Sequence, residues 1–434
     1  MGSASNYSSD DGKRMTKTIK NPPLLSGLLI LFLAAMVFAN IGGNMYGAFM
    51  PLYLKDLQAS ITQIGLFFTL AQIVPLFLQI LGGWISDSLG RLRAIAIGSV
   101  FGAIAFVPMV LADRWQWLLL AVALGAVARA LVGPSFDAFI AEHSSEENRG
   151  KVFGISQAIF MIVSVVGPPL GGWLAGTYGF KLMLLVAGTF YFVAMLMRLS
   201  MAREASKGAI PAGQSLSFAS LKTNLRTMFG LIISGGLLTW LLLTDGLRDI
   251  SFQFSENLFP VYMQEFGGLS LQQIGWVTSV FGICMMLITI PGGWLSDKAG
   301  ERVGIAAGMF LLGSSLLILI NIPQGNQWLY YLGWGIAGLG VGIMSPAYQS
   351  LISKAVPAHM RGTAFGLFST SLGLVSLPAP WIGAHLWEQV GPRFPFTLTA
   401  IILLFSIIPI WLKFRLPGAE ENAPAEVTAV LPAP

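Results

Sequence analysis

Four ionisable residues in one apolar stretch make the first chemical suggestion: Asp245, Arg248, Asp249 and Glu256. Counted from Asp245, the others fall at +3, +4 and +11. At about 100° per residue, a helix gathers those positions within a third of its circumference. Phe252, at +7, sits on the same stripe. A charge at the bilayer centre costs about 2.5–3.5 kcal/mol, so such a stripe must face a water-filled cavity or a partner. Asp245 and Asp249 each lie within one turn of Arg248 and compete for it, whereas Glu256 is two turns beyond with no cation on its own helix. An under-compensated acid is a candidate proton carrier, and of the three Asp249 is the first choice. With Arg129, the intramembrane charges are three acids against two arginines, which suits proton coupling or a cationic substrate. Two plainer readings stand beside this one: a static salt-bridge cluster, or an outer loop if the membrane ends near Thr244. Polar side chains elsewhere in apolar runs are candidate substrate contacts: Asn40, Asn44, Tyr46, Gln157, Gln253, Tyr348 and Gln349. Each could equally be a helix–helix hydrogen bond. Asp137 could line a cavity or belong to a network at the helix end.

Positioning these residues takes membrane helices. The chain is 55% hydrophobic and 10% charged with mean hydropathy +0.72, and long apolar runs alternate with short polar turns. So little polar residue cannot cover a soluble fold, and about 20 apolar residues cross a bilayer as a helix. Spans are expected at 23–54, 60–86, 93–112, 115–141, 152–178, 180–198, 227–263, 270–297, 303–322, 327–355, 362–389 and 395–414. Twelve spans put both tails on one face. Of the 25 Lys and Arg, nineteen (Arg198 among them) fall on that face, four on the other, and Arg129 and Arg248 within spans. By the positive-inside rule the tail face is cytoplasmic. The basic balance is therefore topology, and no nucleic-acid partner is expected. Residues 1–22 and 417–434 read as disordered cytoplasmic tails, 199–226 as a cytoplasmic linker, and 23–198 and 227–416 as two six-helix bundles. The lone Cys284 excludes a disulfide framework or cysteine metal site, no phosphate-binding G-x-x-x-x-G-K-[ST] loop occurs, and the N-terminus has no apolar signal core. No cofactor and no metal are expected.

The two bundles are duplicates. Gly82-Gly83-Trp84-Ile85-Ser86-Asp87-Ser88-Leu89-Gly90-Arg91 recurs 210 residues on as Gly292-Gly293-Trp294-Leu295-Ser296-Asp297-Lys298-Ala299-Gly300-Glu301-Arg302. Gln63-Ile64-Gly65 recurs at Gln273, Pro51-Leu52-Tyr53 as Pro260-Val261-Tyr262, and Arg149-Gly150 as Arg361-Gly362. Repetition at half the chain length means two related units. Two six-helix halves, the repeated Gly-Asp-Gly-Arg turn and a basic linker resemble the major facilitator superfamily over about residues 23–415. The turn is similar to that family's G-x-L-a-D-r-x-G-r-r through Gly83, Ile85, Ser86, Asp87, Gly90 and Arg91, with Ser88 and Leu92 departing from it. A second stretch resembles the G-x8-G-x3-G-P-x2-G-G signature of its drug-antiporter branch through Gly154, Gly167, Pro168, Gly171 and Gly172, with Val163 in place of the middle glycine. Arg129 and Gly133 resemble a third, R-x-x-x-G, with Val132 where glutamine is usual.

The resemblance implies an all-α membrane protein of two pseudo-symmetric bundles working by alternating access, and no enzyme. It implies that Asp87 and Asp297 face the N-termini of helices eleven (Arg361) and five (Arg149), closing the cytoplasmic face in one state, with Arg91, Glu142 and Arg302 in the same network. The function expected is proton-coupled efflux of small amphipathic or cationic compounds by a monomer in the bacterial inner membrane, its partners being substrate, protons and lipid. The alternative is a proton symporter taking up a small metabolite, with Arg129 and Arg248 binding its anionic group. A membrane-embedded lipid enzyme is the remote alternative, since no nucleophile accompanies His143, His359 or His385.

Overall fold

The computed structural model describes residues 27–205, 237–355, 373 and 375–414, excluding the side chains of 77, 79–89, 204–205, 237–238, 242 and 355. The expected tails therefore lie outside the described residues, as do linker residues 206–226 and Arg361. Among the described residues the chain is helical, and eight helices are long and apolar enough to cross a membrane. The first half comprises α1 (Gly27–Gly47), α2 (Met50–Asp56), α3 (Ile61–Leu89), α4 (Arg91–Leu111), α5 (Trp117–His143), α6 (Arg149–Tyr178) and α7 (Phe180–Ala205). The second comprises α8 (Leu237–Ser255), a 3₁₀ turn (Glu256–Leu258), α9 (Phe259–Glu265), α10 (Leu271–Ala299), α11 (Glu301–Ile320), α12 (Trp328–Ala355), α13 (Ala379–Gln389) and α14 (Phe394–Lys413).

Three expected spans are not single helices, the one expected at 362–389 being interrupted by a turn at 377–378. The span expected at 23–54 breaks after Gly47, and the one at 227–263 breaks at the 3₁₀ turn. Both breaks precede the repeated proline, Pro51 or Pro260, which opens the short helix that follows. Proline has no N–H to give the preceding turn, so a helix restarts there at low cost. The repeated tyrosine then pins each restarted tip: Tyr53 donates to the Met109 carbonyl at 2.8 Å and Tyr262 to that of Ile320 at 2.9 Å. Glu256 consequently sits on the 3₁₀ turn rather than on the stripe of α8, and its place relative to Asp245 differs from the one helical spacing implies. The span expected to end at 198 continues to Ala205, so the start of the expected linker is helix.

Other repeated residues do local work. Ser60 with Gln63, and Ser270 with Gln273, form reciprocal capping boxes that start α3 and α10. Gly90 and Gly300 end those helices at φ +85° and +92°, where a side chain would be strained.

Within each half, α1 packs on α6 and α7, α5 on α3 and α4, α12 on α10 and α11, and α14 on α8 and α11. The halves meet along α6–α10 and α3–α13. A β-carbon at Gly275 would lie 2.5 Å from the Pro168 carbonyl oxygen, and one at Gly65 would lie 2.5 Å from that of Pro380. Backbone touches backbone at both sites, as small residues permit in membranes. Ser279 adds a hydrogen bond to the Val165 carbonyl, and Thr62 binds Glu388 through its amide (2.9 Å) and hydroxyl (2.6 Å). A Lys55–Glu265 ion pair (2.5 Å) joins α2 to α9. All these contacts lie in the half of the molecule away from the tails. On the tail side, Arg149 and Asp297 are exposed, and nothing stands where β-carbons on Gly150 and Gly293 would be. Among the described residues the halves are joined on the face opposite the tails and parted on the tail face.

Gly275→Leu should force the halves apart on the closed face. Ser279→Cys, buried in the parent, should then react with a membrane-impermeant maleimide added to that face; continued protection would contradict the role given to the glycine contact.

Candidate functional site

Between the halves lies a cavity of about 990 Å³. Its wall is aromatic and methionine-rich: Met36, Met50, Met109, Phe67, Phe68, Phe106, Phe136, Phe153, Phe160, Tyr46 and Tyr191. Polar groups interrupt it at Asn40, Gln72, Arg129, Asp137, Gln157, Arg198, Gln253, Glu256 and Asn257. Among the described residues the first half supplies most of this lining; Gln253, Glu256 and Asn257 come from the end of α8 and the turn after it.

The expected substrate contacts divide. Asn40, Tyr46, Gln157 and Gln253 line the cavity, whereas Asn44, Tyr348 and Gln349 do not. Asn40 donates to the Met36 carbonyl (2.9 Å) of its own helix. Asn44 donates to the Asn40 carbonyl (2.9 Å) and packs against Gly167, a structural role. Gln253 accepts from Gln72 at 3.3 Å, linking the halves across the cavity. Tyr348 is buried, and Gln349 is exposed away from the cavity.

The four charges of the opening stripe also separate. Asp245, 7% exposed, pairs with Arg248 at 2.8 Å, and the Arg248 guanidinium stacks 5.1 Å from the Tyr348 ring centre. That cluster ties α8 to α12 outside the cavity wall. Asp249 is half-buried and, among the described residues, makes no ion pair. Glu256 is exposed, and the surface it exposes is cavity wall. Its charged neighbour is Asp249. Arg129 is likewise exposed to the cavity.

At the tail-side turns, the surroundings of Gly83, the side chain of Asp87 and the whole of Arg361 lie outside the described residues. Arg91 pairs with Glu142 at 3.2 Å. Arg302 stacks 4.9 Å over Trp411. Asp297 and Arg149 are exposed, in keeping with an open tail face. A further pair was not singled out from sequence: Glu301, which repeats Arg91, binds Lys354 and Ser350. The two halves thus brace the same corner with charges of opposite sense. Along α6, Gly167 and Gly171 abut α1, Gly172 abuts Leu271 of α10, and Pro168 faces Gly275, while Gly154 faces open space. The sequence reading also placed Arg198 among the tail-face cations, and here the structure corrects it. Arg198 is 4% exposed, donates to Ser99 on α4 at 3.0 Å, and lines the cavity. The available signal was its position at the last residue of an expected span.

Helices in two repeated halves, parted on one face around a central cavity, define an alternating-access membrane transporter. The family model described as Major Facilitator Superfamily matches residues 28–267 and 241–433. The chain belongs to the major facilitator superfamily, and it is a multi-pass secondary transporter of small molecules. It is 25% identical over 383 residues to "Multi-drug resistance efflux pump PmrA" of Streptococcus pneumoniae, covering 85% of this chain and 91% of that protein. It is 24% identical over 388 residues to "Multidrug resistance protein MdtG" of Klebsiella pneumoniae, covering 87% and 90%. A crystal structure of a peptide transporter POT in complex with sulfate shares the fold, with TM-score 0.67 and 16% identity over 89% of this chain and 93% of that one.

Removing one partner of a buried pair leaves an uncompensated charge and costs about 3–5 kcal/mol. Arg248→Ala should therefore lower thermal stability in detergent markedly, and adding Asp245→Ala should restore part of the loss. A double variant no more stable than Arg248→Ala would show that the pair is not the unit that matters.

Proposed function

We propose that this protein exports amphipathic compounds from the cytoplasm in exchange for protons. The observation that carries the reading is the cavity wall. A large surface of methionine and aromatic rings re-packs around varied apolar bodies, and the sparse polar groups hold one hydrophilic end. The names of the PmrA and MdtG relatives support efflux of such compounds. Among the described residues the cavity holds Arg129 and Arg198 against Asp137 and Glu256, so its described wall carries no excess of acid that would favour cations. With the tail face cytoplasmic, as the charge distribution indicates, the open state is the one that loads from inside. A monomer in the bacterial inner membrane, with both termini in the cytoplasm, is the setting this implies. The proposed domain limits remain two bundles at 23–198 and 227–416, with helix running into the linker as far as Ala205.

Glu256 is the proposed proton site. Among the described residues it has no ion pair, whereas Asp245 is committed to Arg248. Because Glu256 faces the volume that substrate enters, proton and substrate would exclude each other there, which is the logic of antiport. The tail-side turns carrying Asp87, Asp297, Arg149 and Arg361 are proposed to close the loading face in the other state.

In proteoliposomes, Glu256→Gln should abolish substrate accumulation driven by a pH gradient while leaving substrate exchange intact, since exchange moves no net proton. Gradient-driven accumulation that survives the substitution would remove Glu256 from the mechanism. Orientation is checked separately: Arg393→Cys should label from outside intact cells and not from inside inverted vesicles.

A further inference from the structure

Arg198 is nearly enclosed in the first half, yet among the described residues neither it nor Arg129 has a carboxylate within ion-pair distance. The two acids of the cavity do not compensate them. Glu256 has Asp249 for a charged neighbour, and Asp137 makes no ion pair among the described residues. The partners of Arg198 are neutral: Ser99 and the Tyr191 hydroxyl. A buried guanidinium without an anion is expensive to maintain, and a binding site is one place where the missing anion arrives with the ligand.

The two guanidinium groups lie about one helical turn apart in depth. Ser99, which holds Arg198, is twelve residues from the Leu111 end of α4, and the Arg129 guanidinium reaches back beside Gly125, eight residues from the Trp117 end of the adjacent α5. At 1.5 Å per residue these stand about 18 Å and about 12 Å below the closed face, within a bilayer core about 30 Å thick. Tyr46 connects them: it is within electrostatic reach of Arg129 and of Tyr191, and its ring meets Phe106, which in turn meets Tyr191, at 5.7 Å centre to centre in each case. All of these side chains line the cavity.

We propose that Arg129 and Arg198, with the hydroxyls of Tyr46 and Tyr191, form a subsite for an anionic group. The preferred cargo is then an aromatic amphiphile carrying one carboxylate, sulfonate or phosphate. This rests on the export reading above and narrows its substrate class. The guanidinium pair takes the anion, while the methionine and phenylalanine wall takes the rings. Asp137 and Glu256, without cations of their own, leave that pair free for the ligand.

The test uses the whole protein in nanodiscs of zwitterionic lipid and two probes that share a skeleton, 1-anilinonaphthalene-8-sulfonate and the neutral N-phenyl-1-naphthylamine. The sulfonate should bind about tenfold or more tighter, roughly the worth of one charge-assisted hydrogen bond. Arg129→Gln, at a position exposed to the cavity, should erase that preference with little change for the neutral probe. Arg198→Gln should do the same, and Arg198→Lys should keep part of it because the charge remains. Equal affinity for the two probes in the parent, or equal losses for both in Arg129→Gln, would overturn the subsite. Gradient-driven export of each probe from proteoliposomes is measured in parallel. Export without anion preference sinks the subsite alone; anion-selective binding without gradient-driven movement sinks the export reading alone.

Discussion

The two halves touch backbone to backbone, α6 on α10 through Pro168 and Gly275, and α3 on α13 through Gly65 and Pro380. Lipid supplies no hydrophobic force to press helices together, so the contact must come from close packing and hydrogen bonds. Glycine at the crossing permits both, and Ser279 to Val165 and Thr62 to Glu388 supply the bonds. These contacts sit on one side of the membrane midplane and hold that face closed.

Pseudo-symmetry governs the scaffold and stops at the chemistry. Tyr53 and Tyr262 lock equivalent helix tips, the two capping boxes start equivalent helices, and Gly90 and Gly300 turn equivalent corners. The bracing pair at that corner keeps its position but exchanges its charges, Arg91–Glu142 in one half and Glu301–Lys354 in the other. Among the described residues, cavity polarity is more uneven still. Arg129, Asp137 and Arg198 all belong to the first half, whereas the second half turns its Asp245–Arg248 pair toward Tyr348 and offers Glu256 from the 3₁₀ turn. A duplicated fold needs symmetric hinges to rock, but its ligand is not symmetric, so the two walls are free to diverge.

The asymmetry separates two uses of buried charge. Asp245 and Arg248 pair with one another, and Arg248 stacks on Tyr348 to hold α8 against α12. Arg129, Arg198, Asp137 and Glu256 share a water-accessible cavity without pairing among themselves. Charges kept apart in a cavity can respond to what enters it, which a closed pair cannot do.

Membrane placement, duplication and family were legible in the sequence, because each depends on composition or on spacing along one chain. Apolar runs of about 20 residues have one stable fate, and a turn repeated 210 residues on marks two related units wherever they pack. Which charges share a site was not legible. Helical spacing put Glu256 on the stripe of Asp245, and the break before Pro260 moved it to the cavity wall. Spacing left Arg248 between two acids, and packing against Tyr348 favoured Asp245. The charge count assigned Arg198 to the tail face, but α7 runs about two turns further, to Ala205, and Ser99 and Tyr191 hold the side chain inside. Distances between helices are set by contacts hundreds of residues apart, and on those the local pattern of a sequence is silent.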